Sequence, residues 1–147
     1  MINIRHISES DYESWSALYS SYAEFYNVTQ TKEMRDRVWA WLHDLNHEVN
    51  GFIAVSDDEV AMGFIHYRSF SRPLSATTGG FIDDLFVQPS ARGMGIAKLL
   101  INSVTNVGKH HGWSVIRWIT AEDNLTARQT YDKVAKQTSW LTYDIKL

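Results

Sequence analysis

The sequence predicts an α/β fold of the α+β type, a mixed central sheet flanked by helices. Three observations carry this. Segments with a hydrophobic period near two alternate with segments of period 3.6, in the order β-α-α-β-β-β-α-β-α-β. Two strand-like runs, "FIAV" and "VAMGFIHYRSF", flank the turn sequence "SDDE" and read as an antiparallel hairpin. The run "FIDDLFV" is apolar on both faces, as a strand inside a sheet must be, and a helical pattern follows it.

The elements follow in order. "INIRHI" is a short first strand. Tyr12, Trp15, Leu18, Tyr19, Tyr22, Phe25 and Tyr26 recur at helical spacing, so residues 11–26 form an amphipathic helix with an aromatic stripe and Ser10 as its expected N-cap. Met34, Val38, Trp41, Leu42 and Leu45 mark a second helix capped by Thr31, which closes before Gly51. The hairpin comes next, then "RPLSATTGG" as a polar loop and "FIDDLFV" as the central strand. Residues 93–110 place Ile96, Leu100, Val104 and Val107 on one helical face. "SVIRWIT" is a strand, residues 125–134 a helix with Asn124 at its N-cap position, and "SWLTYDI" a closing strand. No composition shift or linker divides the chain, so residues 1–147 are expected to form one domain.

Composition narrows the function. A net charge of −3 and no basic patch argue against a nucleic-acid partner, and no apolar run reaches the length of a membrane span. The chain has no cysteine, which excludes disulfides, thiolate metal sites and a cysteine nucleophile. That, with an N-terminus lacking an apolar signal core, makes the expected location cytoplasmic. His43 and His47 stand one helical turn apart, but Asp44 and the lack of a third ligand argue against a metal site.

The stretch "VQPSARGMGIAKLL" is the most informative. Glycine is unfavourable at a helix start unless something needs the bare backbone. A helix N-terminus carries unpaired N–H groups and a partial positive charge, and glycine lets an anion approach them. Gly93 and Gly95 after Arg92 therefore read as a phosphate cradle, or else as a flexible strand-to-helix turn. Arg92 and Lys98 either pair with phosphate or stay solvated. A Walker loop lacks its Gly-Lys-Ser/Thr here, and a dinucleotide fingerprint lacks a small residue where Lys98 stands.

With its surroundings, this stretch resembles the acyl-CoA-binding motif of the GNAT superfamily of N-acetyltransferases. Arg92, Gly95 and Ala97 match that motif, with Val87 and Pro89 ahead of it. "NLTARQTY" resembles the second family motif through Asn124, Ala127 and Tyr131. "LYSSYAEFY" and the acidic strand "FIDDLFV" are similar to the spermidine/spermine and diamine acetyltransferase branch, and yeast histone/polyamine-type enzymes look similar too. One departure lies after Tyr131, where many relatives carry a glycine-phenylalanine turn and this chain reads "KVAKQTSWLTY".

The resemblance implies a GNAT acyl-CoA N-acyltransferase fold and an enzyme that moves the acetyl group of acetyl-CoA directly onto an amine. It implies pyrophosphate on the amides of Gly93, Met94, Gly95, Ile96, Ala97 and Lys98, and the pantetheine arm paired with Leu85, Phe86 and Val87. Asn124 and Ala127 belong to the same cofactor-binding set, although Asn124 reads equally well as a helix cap. Tyr131 matches the general acid and Asp83 the acidic residue that receives the amine. Side-chain alternation puts Asp83 and Asp84 on opposite faces of their strand, with Asp84 a second substrate contact. Glu24 and Tyr26, at the end of the aromatic stripe, are a candidate wall for a cationic acceptor. The acidic strand favours a small-molecule amine: a polyamine, a diamine or an amino-acid-like compound. The alternatives are a protein or peptide lysine as acceptor, a non-catalytic acyl-CoA-binding or sensing module, and a nucleotide-binding α/β domain. The edge left by "SWLTYDIKL", and the habit of relatives, imply a homodimer.

Overall fold

The computed structural model describes residues 1–147. Strand β1 spans Ile2–His6, helix α1 Tyr12–Phe25, α2 Lys32–Leu42, β2 Val49–Ser56, β3 Ala61–Arg72 and β4 Thr77–Val87. Helix α3 spans Ile96–His111, β5 Ile116–Arg117 and α4 Leu125–Val134. The sheet order is β1-β2-β3-β4-β5. The first four strands are antiparallel, and β5 runs parallel to β4.

Alternation along β3 gives the sheet two apolar faces. Ile65 and Tyr67 point to one side, where they join Ile82 of β4 and Ile96, Leu100 and Val104 of α3. Phe64 points to the other, with Phe86 of β4 and Trp15, Leu18 and Tyr19 of α1. The aromatic stripe is thus the plug of the second core. Trp15 is 0% exposed.

Thr31 caps α2 as expected, its hydroxyl accepting from the N–H of Met34 at 3.2 Å. Ser10 does not cap α1. The chain enters that helix through a 3-10 turn at Glu9–Asp11, and Asp11 reaches back to accept from the N–H of Ser8 at 2.8 Å. Asp11 is buried and meets Arg5 through two bonds of 2.7 and 2.9 Å, while Arg5 also holds Glu59 at 2.8 Å. This ties the first strand to the start of the first helix.

Three further expectations change. Helix α3 begins at Ile96, because Gly95 adopts the left-handed conformation and stands outside the helix as its N-cap. The strand expected in "SVIRWIT" shrinks to Ile116–Arg117. The closing strand "SWLTYDI" does not form; residues 136–147 have no regular structure. Leu141, Tyr143 and Ile145 alternate as in a strand but are 79%, 89% and 90% exposed. A strand needs a neighbour to pair with, and two residues of β5 provide almost none. No helix is long and apolar enough to cross a membrane.

Arg5 holds the Asp11 carboxyl below the ordinary aspartate value, chiefly through its hydrogen bonds. A depressed folded-state pKa stabilises the fold above the unfolded-state pKa, and that contribution is lost as pH falls through the folded one. Asp11→Asn is expected to cost about 1–3 kcal/mol near neutral pH. The deficit should shrink as the pH drops below about 4. Urea unfolding across a pH series checks this; a deficit constant with pH would make the loss one of packing, not charge.

Candidate active site

The site begins where the sheet comes apart. β5 pairs with β4 at only two positions, Gly80 with Ile116 and Phe81 with Arg117. Beyond them β4 continues to Val87 with β3 on one side and no strand on the other. The main chain of Leu85, Phe86 and Val87 therefore borders an open groove. An extended ligand can add itself to such an edge as a strand would.

The glycine loop closes the end of the groove. A 3-10 turn at Pro89–Ala91 follows β4, and Gly93 and Gly95 then take φ of 83° and 78°. A Cβ added at either glycine would meet nothing within 4 Å. The glycines thus answer to backbone dihedral and open space, not to packing. None of the N–H groups of Gly93, Met94, Gly95, Ile96, Ala97 or Lys98 donates to a backbone carbonyl. Ile96, 1% exposed, pins the helix start to the core while the amides face outward. Unpaired amides, an open approach and the positive end of a sixteen-residue helix fit an anionic pyrophosphate. Arg92 does not point at this cradle as a free cation. Its Nε donates to the carbonyl of Val87 at 3.1 Å, and its guanidinium lies over the rings of Phe25 and Phe86. Lys98 is exposed on the first turn of α3.

The two aspartates depart from simple alternation. Pairing of β3 with β4 runs Tyr67 to Ile82 and then His66 to Asp84, so Asp83 is the extra residue of a β-bulge. Asp83 accepts from Arg68 Nε at 3.2 Å and Asp84 binds Nδ1 of His66 at 2.8 Å. His66 and Arg68 are two apart on one strand and share a face, so both carboxylates lie on the α1 face rather than on opposite ones. Their surroundings differ. Asp84 also accepts from the hydroxyl of Tyr19 at 2.9 Å. Burial alone raises its carboxyl, but the bonds from His66 and Tyr19 outweigh this and hold it below the ordinary aspartate value. Burial raises the Asp83 carboxyl above that value, and the neighbouring Asp84 charge adds to the rise against the opposition of Arg68. One carboxylate is wired in and stays ionised; the other is more basic and more accessible. His66, Tyr19, Trp15 and Arg68 are absent from the sequence reading of the site. The available signal was His66 itself, a lone histidine within the apolar run "GFIHY".

Tyr131 packs edge-on against Trp118 with ring centroids 5.4 Å apart, at the margin of the larger core. Burial pushes its hydroxyl up to about 12, with Tyr26 nearby adding to the effect. Asn124 provides no side-chain cap for α4; its Nδ2 donates to the Tyr26 hydroxyl at 3.3 Å. That bond spans from the end of α1 to the start of α4, beside a cleft of about 350 Å³ lined by Phe25, Tyr26, Asn27, Ala121, Asp123 and Asn124. Ala127 is half-buried one turn further on. Glu24 faces a different concavity, with Ser20, Val28 and Gln30. No group of three or more potential metal-binding side chains comes together. His43 and His47 lie beyond the end of α2, and His47 Nδ1 accepts from the N–H of Val49.

The site thus combines an open strand edge, a loop of unpaired amides, and acidic and phenolic side chains. The sequence profile of the acetyltransferase (GNAT) family matches residues 15–135, and the chain belongs to that family, an acetyl-CoA-dependent group of N-acetyltransferases. It is 27% identical over 143 residues to the D-amino-acid N-acetyltransferase HPA3 of Saccharomyces cerevisiae, covering 97% of this chain and 89% of that one. It is 28% identical over 105 residues to a thialysine N-epsilon-acetyltransferase of Caenorhabditis elegans, covering 67% of this chain and 63% of that one. The solved structure of AAC(6')-Iy in complex with the bisubstrate analog CoA-S-monomethyl-acetylneamine matches 100% of this chain and 99% of that one. Its TM-score is 0.82 at 21% identity, a likeness of fold.

If the cradle holds the pyrophosphate of CoA, Gly95→Asp places a negative charge and a strained left-handed side chain against it. Calorimetric affinity for CoA should fall at least roughly tenfold, with acetyl-CoA no longer raising the Tm of the variant as it does the parent's. Parental affinity would put the phosphates elsewhere.

Proposed function

We propose that the chain transfers the acetyl group of acetyl-CoA to the primary amine of a small cationic molecule: a polyamine, a diamine or an amino-acid-like compound. The observation that carries this is the pair of aspartates on one face of β4, beside its open edge. An ammonium is drawn to such a pair, yet must lose a proton before its nitrogen can attack. The names of the yeast and nematode relatives, enzymes of D-amino acids and of thialysine, agree with an amine acceptor.

In this reading the amides of residues 93–98 hold the pyrophosphate, and Leu85, Phe86 and Val87 pair with the pantetheine arm. Asn124 and Ala127 border that arm from α4. Asp84 receives the ammonium and Asp83, the more basic carboxylate, takes its proton. The neutral nitrogen forms its bond to the acetyl carbon as the carbon–sulfur bond breaks, and the surplus proton on nitrogen passes through solvent to restore the acid that protonates the sulfur. Tyr131, protonated at any physiological pH, gives its proton to the departing sulfur. Tyr26 walls the acceptor side, and Glu24 lies further out as a secondary attraction for a long cation.

Two substitutions test the roles together. Asp83→Asn should lower kcat for a cationic amine while leaving CoA affinity alone, and should remove an acid limb lying above the ordinary aspartate value. Tyr131→Phe keeps the ring against Trp118 and removes the donor, so kcat should drop on the order of 10²–10⁴-fold with little change in CoA affinity. Near-parental kcat in either folded variant, measured where chemistry limits turnover, removes that residue from the mechanism.

We also infer that the enzyme works as a homodimer, in the cytoplasm, with residues 1–147 as one domain. Support for the dimer is the strand-like tail, whose apolar side chains find no partner in their own chain. Light scattering at micromolar concentration should return twice the 16.9 kDa of one chain. A monomer at that concentration would oppose the assembly.

A further inference from the structure

A buried hydrogen-bond chain runs behind the acceptor carboxylate. Trp15 Nε1–H donates to His66 Nε2 at 2.9 Å, and His66 Nδ1 lies 2.8 Å from Asp84 Oδ2. An indole N–H can only donate, so Nε2 must be the unprotonated nitrogen and the ring proton sits on Nδ1. That proton then points at Asp84. The Tyr19 hydroxyl donates to the same oxygen, Oδ2. Trp15 and His66 are 0% and 1% exposed, whereas Asp84 keeps 19% of its side-chain surface open. Both donors therefore hold one carboxylate oxygen, Oδ2, and the Tyr22 hydroxyl stands near the same carboxylate, which leaves Oδ1 as the oxygen held by neither His66 nor Tyr19.

We propose that His66, with its tautomer fixed by Trp15, is a positioning residue for the acceptor amine. It clamps the Asp84 carboxylate so that Oδ1 is presented in one orientation to the incoming ammonium. This rests on Asp84 being the acceptor contact. The clamp acts on acceptor binding and not on the acyl donor, because nothing in the chain Trp15–His66–Asp84 touches the glycine loop. In this tautomer the imidazole meets the carboxylate as a neutral donor, with Trp15 occupying Nε2. The charged and titratable groups facing Asp84 are His66 and Arg68 from β3, Tyr19 and Tyr22 from α1, and Asp83 beside it.

The test compares Asp84→Asn, His66→Leu and His66→Asn on the full chain with a panel diamine and acetyl-CoA. His66→Leu removes the donor, and the amine KM should rise on the order of 10-fold to 100-fold while the acetyl-CoA KM stays parental. The acid limb of kcat/KM for the amine should also move to higher pH, since an unsupported Asp84 carboxyl holds its proton longer. His66→Asn places an amide N–H where Nδ1–H was, and should recover most of the amine KM. A parental amine KM in His66→Leu, or equal damage in His66→Asn and His66→Leu, overturns the clamp. A parental amine KM in Asp84→Asn instead overturns the acceptor site itself, and is told apart by that variant alone. Should His66→Leu fail to fold, nitrogen NMR of the parent's imidazoles still decides. The His66 signals of the neutral ring should show Nδ1 protonated and Nε2 bare, and a neutral ring with its proton on Nε2 overturns the clamp.

Discussion

The open edge at the heart of this molecule depends on β4 losing one of its neighbours. A sheet strand paired on both sides has no main-chain capacity left for a ligand. By holding β5 to two residues, the chain keeps the far half of β4 hydrogen-bonded to β3 and free on its other edge. The rigid side fixes the position of the open side. The same departure of the chain after Arg117 sends it across to α4, which packs Tyr131 against Trp118 and lets Asn124 meet Tyr26. Helix α3 then contributes its N-terminus at the end of the groove because its first residue, Ile96, is locked into the core.

Charge is arranged around this opening as carefully as hydrogen bonding. Adjacent carboxylates in a partly buried place repel, and each needs its own compensation. β3 supplies both, with Arg68 for one and His66 for the other, so the strand that supports β4 mechanically also sets its electrostatics. The unequal compensation separates their basicity, raising Asp83 and lowering Asp84. Helix α1 takes part through Tyr19, and the aromatic core under that helix is in this sense continuous with the aspartate pair.

Most of the fold was legible because its signals are local. The helical spacing of Tyr12 to Tyr26, the hairpin turn and the glycine loop each specify an element from its own residues. The errors arise where pairing decides. "SWLTYDI" has a strand's alternation, but whether a strand forms depends on an edge elsewhere in the chain. Asp83 and Asp84 were placed on opposite faces by strict alternation, and a bulge cancels alternation for one residue without any mark in "FIDDLFV". The glycines after Arg92 take left-handed dihedrals that only their residue type announces, whereas the aromatic neighbour of Arg92, Phe25, is distant in sequence. His66 escaped notice because a histidine inside an apolar run gives no sign of its partners. Trp15 and Asp84 stand 51 residues before it and 18 after it.

The unpaired amides of residues 93–98 have a consequence for how such a protein drifts. Amide N–H groups are common to every residue except proline, so a ligand gripped by them does not register which side chain hangs outward. Met94 and Lys98, both exposed, are free to vary so long as the glycine dihedrals and the anchor at Ile96 survive. Recognition of this kind is robust to substitution in a way that a site built from side chains is not. It lets a chain keep its acyl donor while its acceptor wall, made of helix side chains, is rewritten. Where backbone amides do the gripping, substitution is freer at the side chains around them than at the glycines that expose them.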